Sequence, residues 1–485
     1  SIPGNSYPAP VSDPHADRTG SAPLEPTLAR RVGLFFLVVY GVGDIVGAGI
    51  YGTIGVAAGA MGNAVWLAFI ASMVAAMLTG LTYASVSSRY PRAAGAAYVT
   101  QRAYRRSALS YGVGLAIMAS GLTSVATAAN VFAQNLSVLL GGFSAAAIKV
   151  MFLLGLTLIN FRGIRESMWT NLLCTLVEVG GLVFVIAVSA RFWGQVNYLE
   201  VPGAGASALG HGLLHGPGHG VGDIAGGGAA LGLPLLLSGA VLTFYSFVGF
   251  EDMINVSEEV RDPRRNMPLG LILAVGIATL LYLAVAVSAV SVVHYRELAD
   301  KNLGAPLVQI TRRAAPWLHP AVFNLITLFA VANTALLNLV MGSRLAYGMA
   351  RQGLLPRPLS HVHASRRTPH VAIVVLCAIA VALALAGNIQ TLARSTSVLL
   401  LLVFLLVNGA LLILKRRPGE RAGLFEIPSV IPAAGVIVCA AMIAHARRPE
   451  LTVAGILPSV VLVLYVVMRP RGTAEDDRED ASESP

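Results

Sequence analysis

Two apolar stretches of the 485-residue chain are interrupted by glycine in a way that would free backbone groups for a ligand. The first reads GVGDIVGAGI over residues 41–50, and the second reads SFVGF over residues 246–250. Glycine weakens a helix because it loses more backbone freedom on folding than other residues. A broken helix exposes N–H groups at one half and carbonyl oxygens at the other. Together these groups suit the carboxylate and the ammonium of an amino acid zwitterion.

The Gly47-Ala48-Gly49 backbone is the candidate site for the carboxylate. A single Gly-x-Gly would be weak support, because close helix packing in membranes also uses small residues. The two interrupted stretches, however, are five apolar segments apart. Inverted five-helix repeats place one broken helix at the start of each half, with the substrate between them at the membrane midplane. The spacing therefore predicts a broken-helix binding site.

Glu178 lies in the middle of another apolar stretch, TLVEVGGLVFVI. A carboxyl group at membrane depth is costly, so it lines a pathway, forms a pair or binds a proton. We favour reversible proton binding at Glu178. A neutral, hydrogen-bonded structural role and direct contact with substrate are the alternatives.

Three more carboxyl groups accompany the breaks. Asp44 precedes the first break, where it would meet a cationic end of the substrate, cap freed N–H groups or bind a proton. Glu251 and Asp252 follow the second break, and because adjacent helical residues point about 100° apart, we expect at most one of them to face the pocket, preferably Glu251. Packing against the neighbouring helices is the alternative for Glu251. Acidic groups there would favour cationic substrates such as arginine, lysine, ornithine or a polyamine.

The composition requires a membrane around these segments. Hydrophobic residues make up 55% of the chain and charged residues 12%, with a mean hydropathy of +0.71. That is too few charges to cover a soluble protein of this size, and the apolar segments are long enough to cross a bilayer as helices. We predict twelve of them, centred near residues 45, 76, 122, 153, 179, 246, 280, 333, 378, 403, 435 and 459.

The basic residues predict the topology. Most of the 34 Lys and Arg residues fall in connections on the side that carries both termini, so both termini are expected in the cytoplasm of a multi-pass plasma-membrane protein. Their scatter argues against nucleic-acid binding. The longest connection carries His211, His215 and His219 at four-residue spacing, but its glycine content favours an external loop over a metal-binding helix.

The motifs resemble the amino acid/polyamine/organocation (APC) superfamily, most closely its cationic amino acid transporter branch and similar bacterial permeases. The resemblance covers about residues 30–470. It rests on GAGIYGTIG at 47–55, YPRAAGAAYVTQRAY at 90–104, FRGIRESMWTN at 161–171, FYSFVGFEDMINVSEEVRDPRRNMPLG at 244–270, SRLAYGMARQGLLP at 343–356 and RRTPHVAI at 366–373.

This resemblance implies an all-α integral membrane protein with twelve transmembrane helices and a LeuT-like 5+5 inverted repeat in which helices 1 and 6 are discontinuous. The implied organisation is a disordered N-terminal tail (1–30), a core (31–415) with repeats at about 31–191 and 235–415, helices 11 and 12 (425–469) and an acidic tail (470–485). The implied function is sodium-independent import of amino acids, often coupled to protons. No cofactor other than the proton and no obligatory protein partner is expected.

Carried over residue by residue, the resemblance places the family's substrate-binding positions on both breaks. The carboxylate stretch falls on Gly47, Ala48 and Gly49, followed by Ile50, and the carbonyls for the amino group fall on Ile45, Phe247 and Val248. Phe247 is also similar to the family's aromatic gate, although ordinary packing is an alternative. Many relatives carry Lys at the position of Glu178, so their Lys-based proton mechanism does not transfer.

Two further expectations complete the functional prediction. Glu258 and Glu259 could form an inner gate with Arg89 or Arg92, although a solvated helix end is equally plausible for them. The chain has no Walker A motif and is not expected to be an enzyme. An exchanger of amino acids or polyamines would share every motif quoted above and is the alternative function.

Overall fold

A computed structural model describes residues 28–140, 144–202, 232–300, 305–319, 321–386, 390–420 and 422–444. These residues are nearly all helical and contain no β-strand, and one isolated parallel bridge joins Val32 to Val260. The histidine-containing connection, the segment predicted near residue 459 and both predicted tails up to residue 27 and from residue 470 lie outside the described residues.

The helices of the described ranges are numbered α1 to α14. They are Leu34–Met61 (α1), Val65–Arg89 (α2), Gly95–Tyr104 (α3), Ser107–Leu140 (α4), Ala145–Arg162 (α5), Ile164–Ser189 (α6), Leu233–Phe244 (α7), Pro263–Val292 (α8), Tyr295–Ala299 (α9), Pro306–Ala314 (α10), Ala321–Arg351 (α11), His370–Leu385 (α12), Gln390–Arg416 (α13) and Val430–Ala444 (α14). Short 3₁₀ segments are Gly62–Ala64, Ala190–Phe192, Tyr245–Phe247, Phe250–Glu259 and Arg357–Ser360.

Seven stretches of the described helices are long and apolar enough to cross a membrane. They are Leu34–Tyr51, Thr53–Arg89, Ser107–Ala133, Ala145–Arg162, Ile164–Phe192, Pro263–Val292 and Ala321–Arg351. The centres of the first eleven predicted segments fall inside helical elements, while the full count of twelve membrane helices stays a prediction. The short helices α3 and α10 were not predicted, because ten and nine residues give too little periodicity to detect.

Polar side chains join neighbouring helices inside this apolar bundle. The hydroxyl of Ser72 on α2 donates to the carbonyl of Ala240 on α7 at 2.8 Å. Asn408 on α13 accepts a hydrogen bond from the hydroxyl of Thr82 on α2 at 2.7 Å. In lipid, association between apolar helices depends on packing and on such interhelical hydrogen bonds. These contacts hold α2 between α13 and α7, and α7 belongs to the sixth predicted segment.

A cluster of charged side chains lies at the C-terminal end of α2. Arg89 donates two hydrogen bonds to the Glu426 carboxylate, at 2.6 and 2.7 Å, and the ammonium of Lys415 donates a third at 2.9 Å. Burial raises the pKa of Glu426, but the hydrogen bonds from Arg89, Lys415 and the Gly423 amide outweigh it and lower the pKa to about 2. The cluster joins α2 to α13 and to the connection that follows α13.

Glu426→Gln is expected to lower the thermal unfolding midpoint at neutral pH and to have less effect in acid. The pKa falls from 4.5 to about 2 on folding, so the ionised carboxylate stabilises the fold fully above about pH 4.5, and this stabilisation is lost as the pH falls through 2. Unfolding midpoints of both proteins in detergent between pH 7 and pH 3 test this. Glu297→Gln, in an exposed pair with Arg313, is the control. A Glu426 effect that did not shrink in acid would contradict the charge-based explanation.

Candidate functional site

The first glycine-rich stretch interrupts α1. Gly47 has φ −25° and ψ −153°, outside helical geometry, inside an otherwise continuous helix. The interruption frees the carbonyl of Ile45 from the helix, and this oxygen instead accepts a hydrogen bond from the hydroxyl of Tyr282 at 2.6 Å. Gly47 packs against Thr334 of α11, where a Cβ would lie 2.5 Å from the hydroxyl oxygen. The predicted break therefore exists and is held by two other helices.

The second stretch forms the junction between α7 and a 3₁₀ segment. The chain passes from the turn Tyr245–Phe247 through Gly249, with φ +129°, into Phe250–Glu259. A backbone with this φ is favourable only for glycine. Ten consecutive 3₁₀ residues are unusual, because the hydrogen-bond geometry of this helix limits most runs to three or four residues, and a longer run inside a spanning segment marks a hinge or strain.

The two breaks are in direct contact. A Cβ on Gly249 would lie 2.8 Å from the carbonyl oxygen of Asp44, and a Cβ on Gly49 would lie 3.1 Å from the Cα of Ser246. Only glycine allows two backbones to approach this closely. The hydroxyls of Thr53 and Ser246 also form a hydrogen bond at 2.6 Å. The structure therefore brings together the two stretches that the sequence analysis singled out.

Tyr282 on α8 joins the breaks through one hydroxyl group. Its oxygen lies 2.6 Å from the carbonyl of Ile45 and 2.7 Å from the carbonyl of Ser246. A phenol has one proton to donate, so it cannot satisfy both carbonyls fully. The role of this residue is not visible in the sequence, since a lone Tyr in the apolar run LLYLAV carries no motif.

The predicted lining residues are placed as follows. Ile45, Ile50 and Phe247 are fully buried, and Val248 is half-buried. The ring of Phe247 meets the ring of Tyr282 edge to face, with centroids 5.1 Å apart. The described contacts of Phe247 are thus packing contacts, and its role as a gate stays a prediction, as does substrate binding by Gly47, Ala48 and Gly49.

Glu178 is fully buried on α6, beside the first break. Neither of its carboxylate oxygens has a hydrogen-bond partner in the described ranges, and its electrostatic neighbours include Asp44. Polar side chains of α6 and α11 lie near it. The Asn333 side chain on α11 faces the carboxyl group and donates to the hydroxyl of Thr175 on α6 at 3.0 Å. A Cβ on Gly43 of α1 would collide with the side chains of Thr175 and Asn333. An unsatisfied buried carboxyl is suited to binding a proton.

Glu251 and Asp252 are both buried, because the 3₁₀ segment is buried along most of its length. Burial does not distinguish the two, so the preference for Glu251 as the residue that faces the pocket stays a prediction. The Glu251 carboxylate accepts a hydrogen bond from the Gly249 amide at 2.9 Å, at the start of the 3₁₀ segment. One Asp44 oxygen has no partner among the described residues.

The predicted gate residues Glu258 and Glu259 both contact residues of α11. Glu259 is fully buried and pairs with Arg344 of α11 at 2.9 Å, while Arg344 also donates to Asn160 at 2.5 Å. Glu258 accepts a hydrogen bond from the Ala93 amide at 2.9 Å and lies 3.9 Å from Arg351.

Of the two arginines expected to pair with these glutamates, Arg89 binds Glu426. Arg92 lies over the ring of Tyr98 at 5.1 Å, and its pairing with a gate glutamate stays a prediction. The backbone amides of Arg31 and Val32 both donate to the Glu259 carbonyl at 2.9 Å. Glu259 therefore contacts α11 and the chain before α1 directly, and α5 through Arg344. Sequence spacing could not reveal the Arg344 pair, because 85 residues separate the two.

No cluster of three or more His, Cys, Asp or Glu side chains suited to a metal ion occurs within the ranges that the structure describes. The free cysteines Cys174, Cys377 and Cys439 are buried separately. The histidines of the long connection fall outside those ranges, so the expectation of a loop there stays a prediction.

Comparisons with known proteins place this geometry in context. A family model described as amino acid permease matches residues 31–469. An uncharacterized transporter of Mycobacterium tuberculosis (strain ATCC 25618 / H37Rv) is 31% identical over 424 residues, covering 86% of this chain and 87% of that protein. The methylthioribose transporter of Bacillus subtilis (strain 168) is 25% identical over 434 residues, covering 85% and 87%. Cationic amino acid transporter 9, chloroplastic, of Arabidopsis thaliana is 28% identical over 359 residues, covering 70% and 58%.

Proposed function

Because the chain belongs to the amino acid permease family, we propose that it is a secondary active transporter that imports amino acids without sodium and together with a proton. Family membership confirms the resemblance to the APC superfamily. Relatives named as transporters and permeases confirm that the chain is not an enzyme. The protein is a multi-pass membrane protein that acts on a small molecule across a lipid bilayer.

The observation that carries the proposal is the contact between the two helix breaks. Gly249 packs on the Asp44 carbonyl, and Tyr282 shares one proton between the carbonyls of Ile45 and Ser246. A ligand ammonium would complete the hydrogen bonding of these carbonyls, and the N–H groups of Ala48 and Gly49 after the first break would receive its carboxylate. These are the two groups that all α-amino acids share.

We further propose the LeuT-like architecture of twelve membrane helices, with residues 31–191 and 235–415 as inverted repeats and both termini in the cytoplasm. The broken α1 and the broken segment from α7 to Glu259 are the first and sixth predicted segments, which supports a five-helix repeat. The excess of Lys and Arg on the side of the termini supports this orientation in the plasma membrane.

Substrate preference and coupling follow from the buried carboxyl groups. Asp44 and Glu251 lie at the breaks and would favour a cationic amino acid through Coulomb attraction. Glu178 carries the coupling proton in this proposal, because its oxygens are buried without partners and its neighbour Asp44 lies at the binding site. No other cofactor and no obligatory protein partner is required.

The test is uptake of labelled arginine, alanine and leucine into proteoliposomes, each with and without an inward proton gradient. Gradient-stimulated arginine uptake is the expected result. Uptake of alanine or leucine without arginine would contradict the cationic preference, and uptake of none of the three without preloaded substrate would identify an exchanger. Transport of none of them under either condition would contradict the proposed function.

Glu178→Gln is expected to keep substrate binding and exchange but to lose the stimulation of uptake by a proton gradient. Glutamine has nearly the same shape as glutamic acid and cannot release the proton. The measurement is uptake at equal pH and with an acidic outside. Glu166→Gln, at an exposed position of the same helix, is the matched control and should behave as wild type. Wild-type gradient dependence of Glu178→Gln would remove Glu178 from the coupling mechanism.

A further inference from the structure

Three buried carboxyl groups lie near one another at the two breaks. Asp44, Glu251 and Asp252 are 7%, 2% and 6% exposed, and the carboxyl of Asp252 has both others as electrostatic neighbours. The proposed function assigns substrate contact to Asp44 and Glu251 and leaves Asp252 without a role. A buried carboxyl without a role requires an explanation, because burial of such a group is costly.

Unsatisfied polar side chains surround these carboxyls. The hydroxyls of Tyr40 and Tyr83 are completely buried and have no hydrogen-bond partner in the described part of the chain. Tyr40 is an electrostatic neighbour of Asp44 and Asp252, and Tyr83 of Asp252 and Glu251. Both polar atoms of Asn255, which follows Asp252 by one 3₁₀ turn, also lack a described partner. Buried polar groups normally have partners, so this cluster has unused hydrogen-bonding capacity that could stabilise a protonated or an ionised carboxyl.

The charges facing the cluster do not neutralise it. Tyr40 (α1), Tyr83 (α2) and Glu178 (α6) are electrostatic neighbours of the carboxyls, and the tyrosines in turn have Arg344 (α11), Glu259 and Cys439 (α14) as neighbours. Arg344 is the cation among these groups, and it already forms the buried pair with Glu259. Three ionised carboxylates would therefore repel one another in a low-dielectric interior without compensation.

Two kinds of ligand would relieve this repulsion, namely protons or the cationic side chain of a substrate. At Asp252 the packing favours protons. Asp252 is 6% exposed in a 3₁₀ segment that is buried along most of its length, and the backbone of Gly249, three residues earlier, contacts the backbone of Asp44. A proton needs no space at Asp252, whereas a guanidinium or ammonium group does.

We propose that Asp252 is the proton-binding member of this carboxyl cluster, in addition to Glu178, and that it carries a proton through the transport cycle, while Asp44 and Glu251 keep their substrate contacts. The inference rests on the proposed transport function. A proton from water forms an O–H bond at an Asp252 carboxylate oxygen on one side of the membrane, and the same bond breaks when the proton returns to water on the other side. Tyr40 is an electrostatic neighbour of both Asp252 and Glu259.

Infrared difference spectroscopy of the purified protein between acidic and alkaline pH tests the cluster without using transport. The carbonyl band of protonated, buried carboxylic acids is the readout. Asp252→Asn should lose part of this band, and Asp262→Asn, an exposed position ten residues away, should match wild type. Glu178→Gln should keep the part that Asp252→Asn loses. An Asp252→Asn spectrum identical to wild type would overturn the proposal.

A second arm covers the case in which Asp252→Asn does not fold. The spectrum of Glu178→Gln then decides, because loss of the entire acid band in that variant would leave no proton for the cluster and would overturn the proposal.

If Asp252→Asn folds, it should retain exchange at equal pH but lose stimulation by a proton gradient. Selective loss of arginine binding, with alanine and leucine binding unchanged and the band intact, would instead identify a site for cationic side chains. Absence of all uptake by wild type would contradict the proposed function and leave the spectra to judge the cluster.

Discussion

Replacing Gly249 with alanine is expected to reduce uptake by about 5- to 150-fold while the protein still reaches the membrane. Gly249 adopts φ +129°, a conformation that costs a residue with a side chain about 1–3 kcal/mol. The new Cβ would also lie 2.8 Å from the carbonyl oxygen of Asp44, which belongs to the backbone and cannot rotate away. The cost falls on the state in which the breaks are in contact, and a shift of about 1–3 kcal/mol changes the population of that state about 5- to 150-fold.

The measurement is initial uptake rate in proteoliposomes, normalised to the amount of reconstituted protein. Gly276→Ala on α8 is the matched control, because a Cβ there has nothing within 4 Å. It makes the same chemical change in a membrane-spanning helix and should keep wild-type uptake. If Gly249→Ala transported at the wild-type rate, the contact between the breaks would not be needed during transport.

Arg344→Met is expected to destabilise the fold by about 3–5 kcal/mol, because it leaves the carboxylate of Glu259 buried without its partner. Both side chains of this pair are completely buried, and the Arg344 guanidinium also satisfies Asn160 on α5. The loss should appear as a large fall in the thermal unfolding midpoint and in the yield of folded protein. Arg351→Met is the control, because that arginine lies about two turns further along the same helix and its side chain is 44% exposed.

The double variant Arg344→Met/Glu259→Met separates the missing partner from the missing packing. A buried ion pair exchanged as a whole for apolar side chains of similar volume often costs little, so the double variant should recover most of the lost stability. Equal destabilisation of the single and double variants would show that the pair itself is not the origin of the effect. If the double variant is stable, its uptake reports whether the pair is also needed as an inner gate.

The two breaks could be predicted from the sequence because their signal is local. Glycine at Gly47 and Gly249 lowers helix propensity within an apolar run, and that effect needs no partner elsewhere. The predicted segment centres up to residue 435 lie in helical elements for the same reason, since an apolar stretch of membrane length has few alternatives to a helix. The burial of Asp252 beside Glu251 and the pairing of Glu259 with Arg344 could not be predicted, because both depend on how distant segments pack.

Composition and the order of the apolar segments thus established a helical membrane protein with two interrupted segments at matching positions, and the motifs identified its family. The packed structure was needed to find Tyr282 between the breaks, Arg344 beside Glu259 and Asp252 beside Asp44. The physical reason is that helix propensity and hydropathy are properties of neighbouring residues, whereas a hydrogen bond or ion pair depends on distances between helices far apart in the chain. Those distances arise from side-chain packing, which a single sequence does not state.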